Sequence, residues 1–107
     1  MDRELEKAFY AEMVRLYEEP LRLFGYHASI FKRMVADHGG VEAARRLVRD
    51  STISDGLGVL AMHGRLDLTS EAAMLRGRFP ELFEPEELDL ARAKLRRLGY
   101  GGPEVTQ

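Results

Sequence analysis

Residues 51–83 read STISDGLGVLAMHGRLDLTSEAAMLRGRFPELF, and the rest of the chain is organised around them. The spacing predicts two short helices joined at Gly64–Leu68, then a turn that feeds the last helix. Ser54 is placed to cap the first of the two, with Asp55 in its first turn, and Leu57, Leu60 and Ala61 supply its core face. Gly56 and Gly58 lie inside that helix, where each costs up to about 1 kcal/mol against alanine, so another helix is expected to approach closely there. Gly64 stops it. Leu66 and Leu68 alternate with Arg65 and Asp67, which predicts two buried leucines and a charged pair that fixes the turn by hydrogen bonds. Thr69 then caps the next helix, Glu71 lies in its first turn, and Gly77 ends it. Phe79, Leu82 and Phe83 form an apolar knot around Pro80, and Pro85 opens the last helix with Glu86 and Glu87 at its positive end.

Toward the N-terminus, Asp2 caps a first helix over residues 2–18, with Glu4 and Glu6 near its start. Leu5, Phe9, Met13, Leu16 and Tyr17 recur at helical spacing, and Tyr10 and Val14 widen the stripe enough to suggest contact on two sides. Pro20 lacks a backbone donor and restricts Glu19, so a kink or a new short helix is expected there, closed by Gly25. A second helix spans about His27–His38 on the stripe Ile30, Phe31, Met34, Val35. Gly39–Gly40 separates it from a third, Val41–Arg49, with Ala43, Ala44, Leu47 and Val48 facing inward. Toward the C-terminus, Leu88, Ala91, Leu95 and Leu98 line the last helix and Gly99 stops it. Residues 101–107, GGPEVTQ, read as a flexible tail. No segment alternates like a strand. The fold class expected is all-α: a compact, irregular bundle of five to seven short helices forming one domain over residues 1–100.

Four segments, GYHASIFKRMV, GGVEAARRLV, SDGLGVLAMHGRLDLTSEAAML and LFEPEELDLARAKLRRLGY, resemble a small all-helical bacterial domain family with no established activity. They cover about three-quarters of the chain, and GRLDLT followed by Glu71 is the most specific piece. The resemblance implies a helical bacterial module and no particular chemistry. The family pattern has threonine or serine before the last helix; Glu84 stands there in this chain.

Composition narrows the function classes. There is no cysteine, so disulfides and thiolate metal sites are excluded and a reducing, cytoplasmic setting is expected. The start, MDRELEKAFY, is charged and amphipathic, unlike a signal peptide or a membrane span. A net charge of −2 argues against a dedicated electrostatic binder of nucleic acid. No phosphate loop, GxSxG or HExxH motif is present, and adjacent carboxylates such as Glu86–Glu87 and Glu18–Glu19 point to different sides of a helix. No catalytic residue, metal ligand or cofactor is therefore expected. His27 and His38 stand about 16 Å apart along one helix and cannot share an ion on it. His38 and His63 each precede a glycine at a helix C-terminus, where an imidazole complements the dipole.

Two surfaces remain. The first is the broad stripe Phe9, Tyr10, Met13, Val14 and Tyr17, rich in the aromatic and methionine side chains that favour contact surfaces. It suggests a helical protein-interaction module or small accessory subunit, docking a protein partner or a second copy of itself. The second is the segment Met34–Val48, which partly resembles a helix-hairpin-helix, a binder of the DNA backbone. Gly39, Gly40, Arg45, Arg46 and Arg49 would form that nucleic-acid contact, although His38 occupies the place of the motif's first glycine. Arg92, Lys94, Arg96 and Arg97 form a second basic run, at the end of a helix that begins acidic, and dipole complementation accounts for it.

Overall fold

Ser70–Met74 is the innermost piece of the molecule: a helix of only five residues, every one of them buried. A helix this short does not persist in water by itself, because the cost of nucleation exceeds what a few hydrogen bonds return. It exists because the other elements enclose it. The structure is a computed structural model that describes residues 2–50 and 55–106. Within them the order is α1 (Arg3–Phe24), α2 (Ser29–His38), α3 (Gly40–Arg49), α4 (Asp55–Met62), a 3-10 turn (Leu66–Leu68), α5 (Ser70–Met74), a second 3-10 turn (Phe79–Leu82), α6 (Pro85–Arg97) and α7 (Pro103–Thr106). The chain is all-α, and no strand occurs among the described residues.

Several local readings hold. Asp2 accepts from the Leu5 amide and Thr69 from the Ala72 amide, the two caps expected at the starts of α1 and α5. Leu66 and Leu68 are buried, and Arg65 clasps Asp67 through two hydrogen bonds of 2.9 and 3.0 Å. The expected knot is built on Phe9, whose ring meets Phe79 and Phe83 edge-on at 5.1 and 5.3 Å. Glu84 proves an adequate start for α6, since its amide donates to Glu87 Oε1 at 2.9 Å and Pro85 follows in the first turn.

Other readings are corrected. α1 does not end or restart at Pro20; it runs on to Phe24. Pro20 is among the most deeply buried side chains, and it continues the core phase from Leu16 to Phe24. Its packing outweighs the lost hydrogen bond. Ile30, placed on the core stripe of α2, is 79% exposed, because α2 packs through Val35, with Phe31 and Met34 half-buried. Ala61 is likewise exposed on α4. The tail is not free: Pro103–Thr106 forms a helical turn that buries Val105 against Ala72 and Leu95. Tyr100 donates to Glu104 at 2.7 Å, and Arg76 reaches Glu104 at 3.1 Å. The Ser54 cap falls outside the described residues.

The glycines divide by what surrounds them. Gly39 has φ 81°, ψ 171°, a backbone state that lets α2 turn directly into α3. A Cβ on Gly40 would lie 3.1 Å from the Tyr10 Cα and 3.3 Å from Phe9 Cδ2, so α3 starts against the backbone of α1. The close approach expected at Gly58 is absent, with nothing within 4 Å of a Cβ there. Opposite outcomes follow. Gly40→Ala should cost about 1–3 kcal/mol through overpacking. Gly58→Ala should stabilise by about 0.5–1 kcal/mol through helix propensity. Urea unfolding of the two variants beside the parent measures both, and equal signs would contradict the packing described.

Candidate functional site

The last helix carries two ionisable groups where its pattern calls for apolar ones. Glu87, Ala91, Lys94 and Leu98 are spaced i, i+4, i+7 and i+11, so all four lie on one face of α6, and that face is the inward one. Lys94 is 5% exposed and Glu71, at the start of α5, is 2% exposed. Their side chains meet at 3.0 Å. The Lys94 ammonium also donates to the carbonyls of Leu47 and Asp50, at 2.9 and 2.8 Å. All three of its protons are thus engaged, two of them by carbonyls at the end of α3, where the helix dipole is negative. The other Glu71 oxygen accepts from Ser70 Oγ at 3.2 Å.

This polar group forms the floor of a cleft of about 270 Å³. Leu16 and Pro20 of α1, Phe31 and Met34 of α2, and Leu57 and Leu60 of α4 wall it, with Tyr26, His27 and Ile30 at the α2 end. His27 Nε2 lies 2.9 Å from the Tyr17 hydroxyl, and Lys32 sits 4.9 Å above the Tyr17 ring. Beyond α4, His63 stacks on Phe24 with centroids 3.9 Å apart and rings within 2° of parallel. His63, at the C-terminal end of α4 as expected, makes this stack in addition. Among the described residues, no group of three or more histidines and carboxylates converges as a metal site would require.

The sequence-derived surfaces fare differently. Phe9, Met13 and Tyr17 are buried and Val14 is half-buried; Tyr10, at 44%, is the exposed member of the five. The stripe is wide because α1 is covered by α2, α3, α5 and both 3-10 turns, so its five residues do not form a free face. The hairpin surface is also already occupied. Arg49 bridges Glu87 and Glu86 at 3.0 and 3.4 Å, Arg46 pairs with Glu42 at 3.1 Å, and Arg45 donates to the Leu82 carbonyl at 3.1 Å. Arg45 Nε stands 3.4 Å from Glu87 Oε1 without forming a hydrogen bond. Gly40 faces Tyr10 rather than an anion, so Gly39–Gly40 serves helix packing. Burial pushes the Glu87 carboxyl upward, but the Glu84 amide and the Arg49 and Arg45 guanidiniums outweigh it and hold the group below the ordinary glutamate value.

No protein-family model, curated protein or solved structure matches this chain. The resemblance to a bacterial helical domain gains no support there, and the functional reading stands on this chain's geometry. No helix among the described residues is long and apolar enough to cross a membrane.

Sequence reading missed Ser70, Glu71 and Lys94 as a unit. The visible signal was a lysine and a glutamate on the apolar phase of α6; the partner of the lysine lies 23 residues away. Lys94→Met should cost about 3–5 kcal/mol in urea unfolding, because Glu71 is left as an uncompensated buried charge. The double variant Lys94→Met/Glu71→Leu should recover part of that loss, and strict additivity would contradict the pairing.

Acid dependence follows from three other carboxyls. The Arg15 guanidinium, with Arg76 behind it, holds Glu12 below its ordinary 4.5; Arg65 holds Asp67 below 3.8; Glu87 is lowered as described. A group lowered in the folded state stabilises fully above its unfolded value and loses that contribution as pH falls through the folded one. Stability should therefore be flat near neutrality and fall progressively below pH 4.5. Glu12→Gln should flatten that fall, as read from urea midpoints against pH.

Proposed function

We propose that this chain is a helical protein-interaction module or small accessory subunit, with its docking face at the end where α1, α2 and α4 meet. One observation carries the reading: α1, α2 and α4 each leave large apolar side chains in water. Met62 is 87% exposed at the end of α4 and Ile30 79% exposed at the start of α2, and Leu21 and Leu23 are exposed in the last turn of α1. The Phe24–His63 stack joins the end of α1 to the end of α4, which places Leu23 and Met62 beside the same junction. Isolated exposed leucines are ordinary, but side chains as large and as exposed as Ile30 and Met62 in so small a protein suit a partner.

The face differs from the one expected from the sequence. It lies at the end of α1 and not along the stripe of Phe9 to Tyr17, whose side chains are engaged within the fold. Nucleic-acid binding through Arg45, Arg46 and Arg49 is not proposed, because glutamates already neutralise much of their charge and the chain carries a net −2. A protein partner or a second copy of the chain fits an apolar, weakly charged face better. A cytoplasmic setting suits a chain with no cysteine to oxidise.

The test uses Ile30→Glu/Met62→Glu. Both side chains are exposed, so the variant should unfold at the same urea concentration as the parent. Sedimentation across a concentration series and capture from native lysate should each be compared for the two proteins. The parent should self-associate or retain a partner at least about tenfold more strongly than the variant, since burying two such side chains stabilises a complex by a few kcal/mol. A monomeric parent that retains the same proteins as the variant would refute the proposal.

A further inference from the structure

Residues 103–106 are attached to the rest of the molecule in the way a bound peptide is. Among the described residues, the backbone of residues 101–106 forms no hydrogen bond with backbone outside that segment; its own bonds are local, as from the Val105 amide to the Gly102 carbonyl. Side chains of the fold hold it instead. The Glu104 carboxylate is met on both oxygens, by the Tyr100 hydroxyl at 2.7 Å and by Arg76 Nη1 at 3.1 Å, and its side chain is 6% exposed. Arg96 donates to the Val105 carbonyl at 3.2 Å. The Val105 side chain packs on Ala72 and Leu95, with Leu75 and Tyr100 beside them, in a small cluster apart from the main one. Arg76 is also fixed by Glu12 at 3.0 Å and by the Asp67 carbonyl at 2.9 Å, so its position does not depend on the segment. A Cβ on Gly102 would collide with the Tyr100 ring, so glycine there lets the chain fold back against that ring. A four-residue helix has no stability of its own.

We propose that this seam of α5 and α6 is a docking site for a short segment of a partner protein, bearing glutamate followed by a branched aliphatic residue, and that Pro103–Thr106 is a tethered placeholder which such a segment displaces. Each part of the preference has a reader. Arg76 and Tyr100 require a carboxylate; without one the Tyr100 hydroxyl loses its acceptor, and a lysine in that place would face a guanidinium. Ala72 and Leu95 require an aliphatic side chain, since a carboxylate against them would be desolvated without compensation. Arg96 takes a main-chain carbonyl and sets the register whatever the side chain. The short tether gives the placeholder an effective concentration on the order of mM, so a free segment competes with it poorly and binds once it is removed. Release is local, because Val105 is the buried member of the segment and lies outside the main cluster. This surface shares no residue with Leu21, Leu23, Ile30 and Met62, so it and the docking face proposed above stand or fall separately.

The experiment compares the full chain with its double variant Glu104→Gly/Val105→Gly, which empties the seam without adding charge. Each is titrated with three synthetic peptides: one with the sequence of residues 102–107, GPEVTQ, one with lysine in place of the glutamate, and one with aspartate in place of the valine. Amide shifts of Ala72, Leu75, Arg76, Leu95 and Arg96 are followed by nuclear magnetic resonance. The GPEVTQ peptide should shift these saturably in the double variant and bind at least about tenfold more tightly than either control, the difference expected for a lost charged hydrogen bond. It should bind the parent at least about tenfold more weakly than the double variant, because the placeholder competes. In the parent alone, the Val105 amide should exchange with solvent at least about tenfold faster than the Leu16 amide, since the segment opens without the rest of the fold. Absence of shifts in the double variant, equal binding of the three peptides, equal binding by parent and variant, or exchange at Val105 as slow as at Leu16 would each overturn the proposal. So would loss of the fold in the double variant by circular dichroism, which would make the segment an integral part of the core.

Discussion

A lysine ammonium withdrawn from water requires three acceptors and a counter-charge, and Lys94 finds them on two different elements. Leu47 and Asp50 offer carbonyls that close α3, and Glu71 offers a carboxylate from the first turn of α5. One side chain from α6 therefore holds the end of one helix and the beginning of another. That junction matters because α5 is five residues long and has no stability apart from its surroundings. Elsewhere in the core, Phe9 packs edge-on against the rings of Phe79 and Phe83. The buried pair adds direction to this arrangement rather than net stability, since its desolvation offsets much of its Coulomb attraction.

The arginines perform a related task nearer the surface. Arg76 donates to the Asp67 carbonyl, to Glu104 and to Glu12, and so ties the 3-10 turn and α7 to α1. Arg45 and Arg49 tie α3 to the start of α6 through Glu87. A planar guanidinium with several fixed donors suits such junctions better than a lysine does. Arg45 and Arg49, part of a cluster that looks basic in the sequence, thus form a seam with the glutamates of α6.

The cleft and the apolar side chains left in water belong to the same helices. α2 packs on the core through Phe31, Met34 and Val35 and turns Ile30 to water, while Ile30, Phe31 and Met34 all line the cleft that Ser70 and Glu71 also line. α1 contributes because it passes through Pro20 without stopping and carries Leu21, Leu23 and Phe24 beyond it. Had α1 ended at residue 18, Pro20 would not line the cleft from α1 and Phe24 would not be carried to His63 on that helix.

Much of the helical punctuation was legible in the amino-acid order. Caps such as Asp2 and Thr69, the proline at the start of α6 and the buried pair Leu66 and Leu68 act within a few residues of where they stand, so a local reading finds them. Tertiary structure alone decided that Pro20 would be tolerated, that Ile30 and Ala61 would face water, that residues 103–106 would dock, and that Arg45 and Arg49 would be paired. It also decided the site. Lys94 and its acceptors are separated by 23 to 47 residues, and no periodicity within one helix states which distant carbonyl or carboxylate a side chain will meet. Helical phase can mark a charged residue as facing inward; only packing determines what awaits it there.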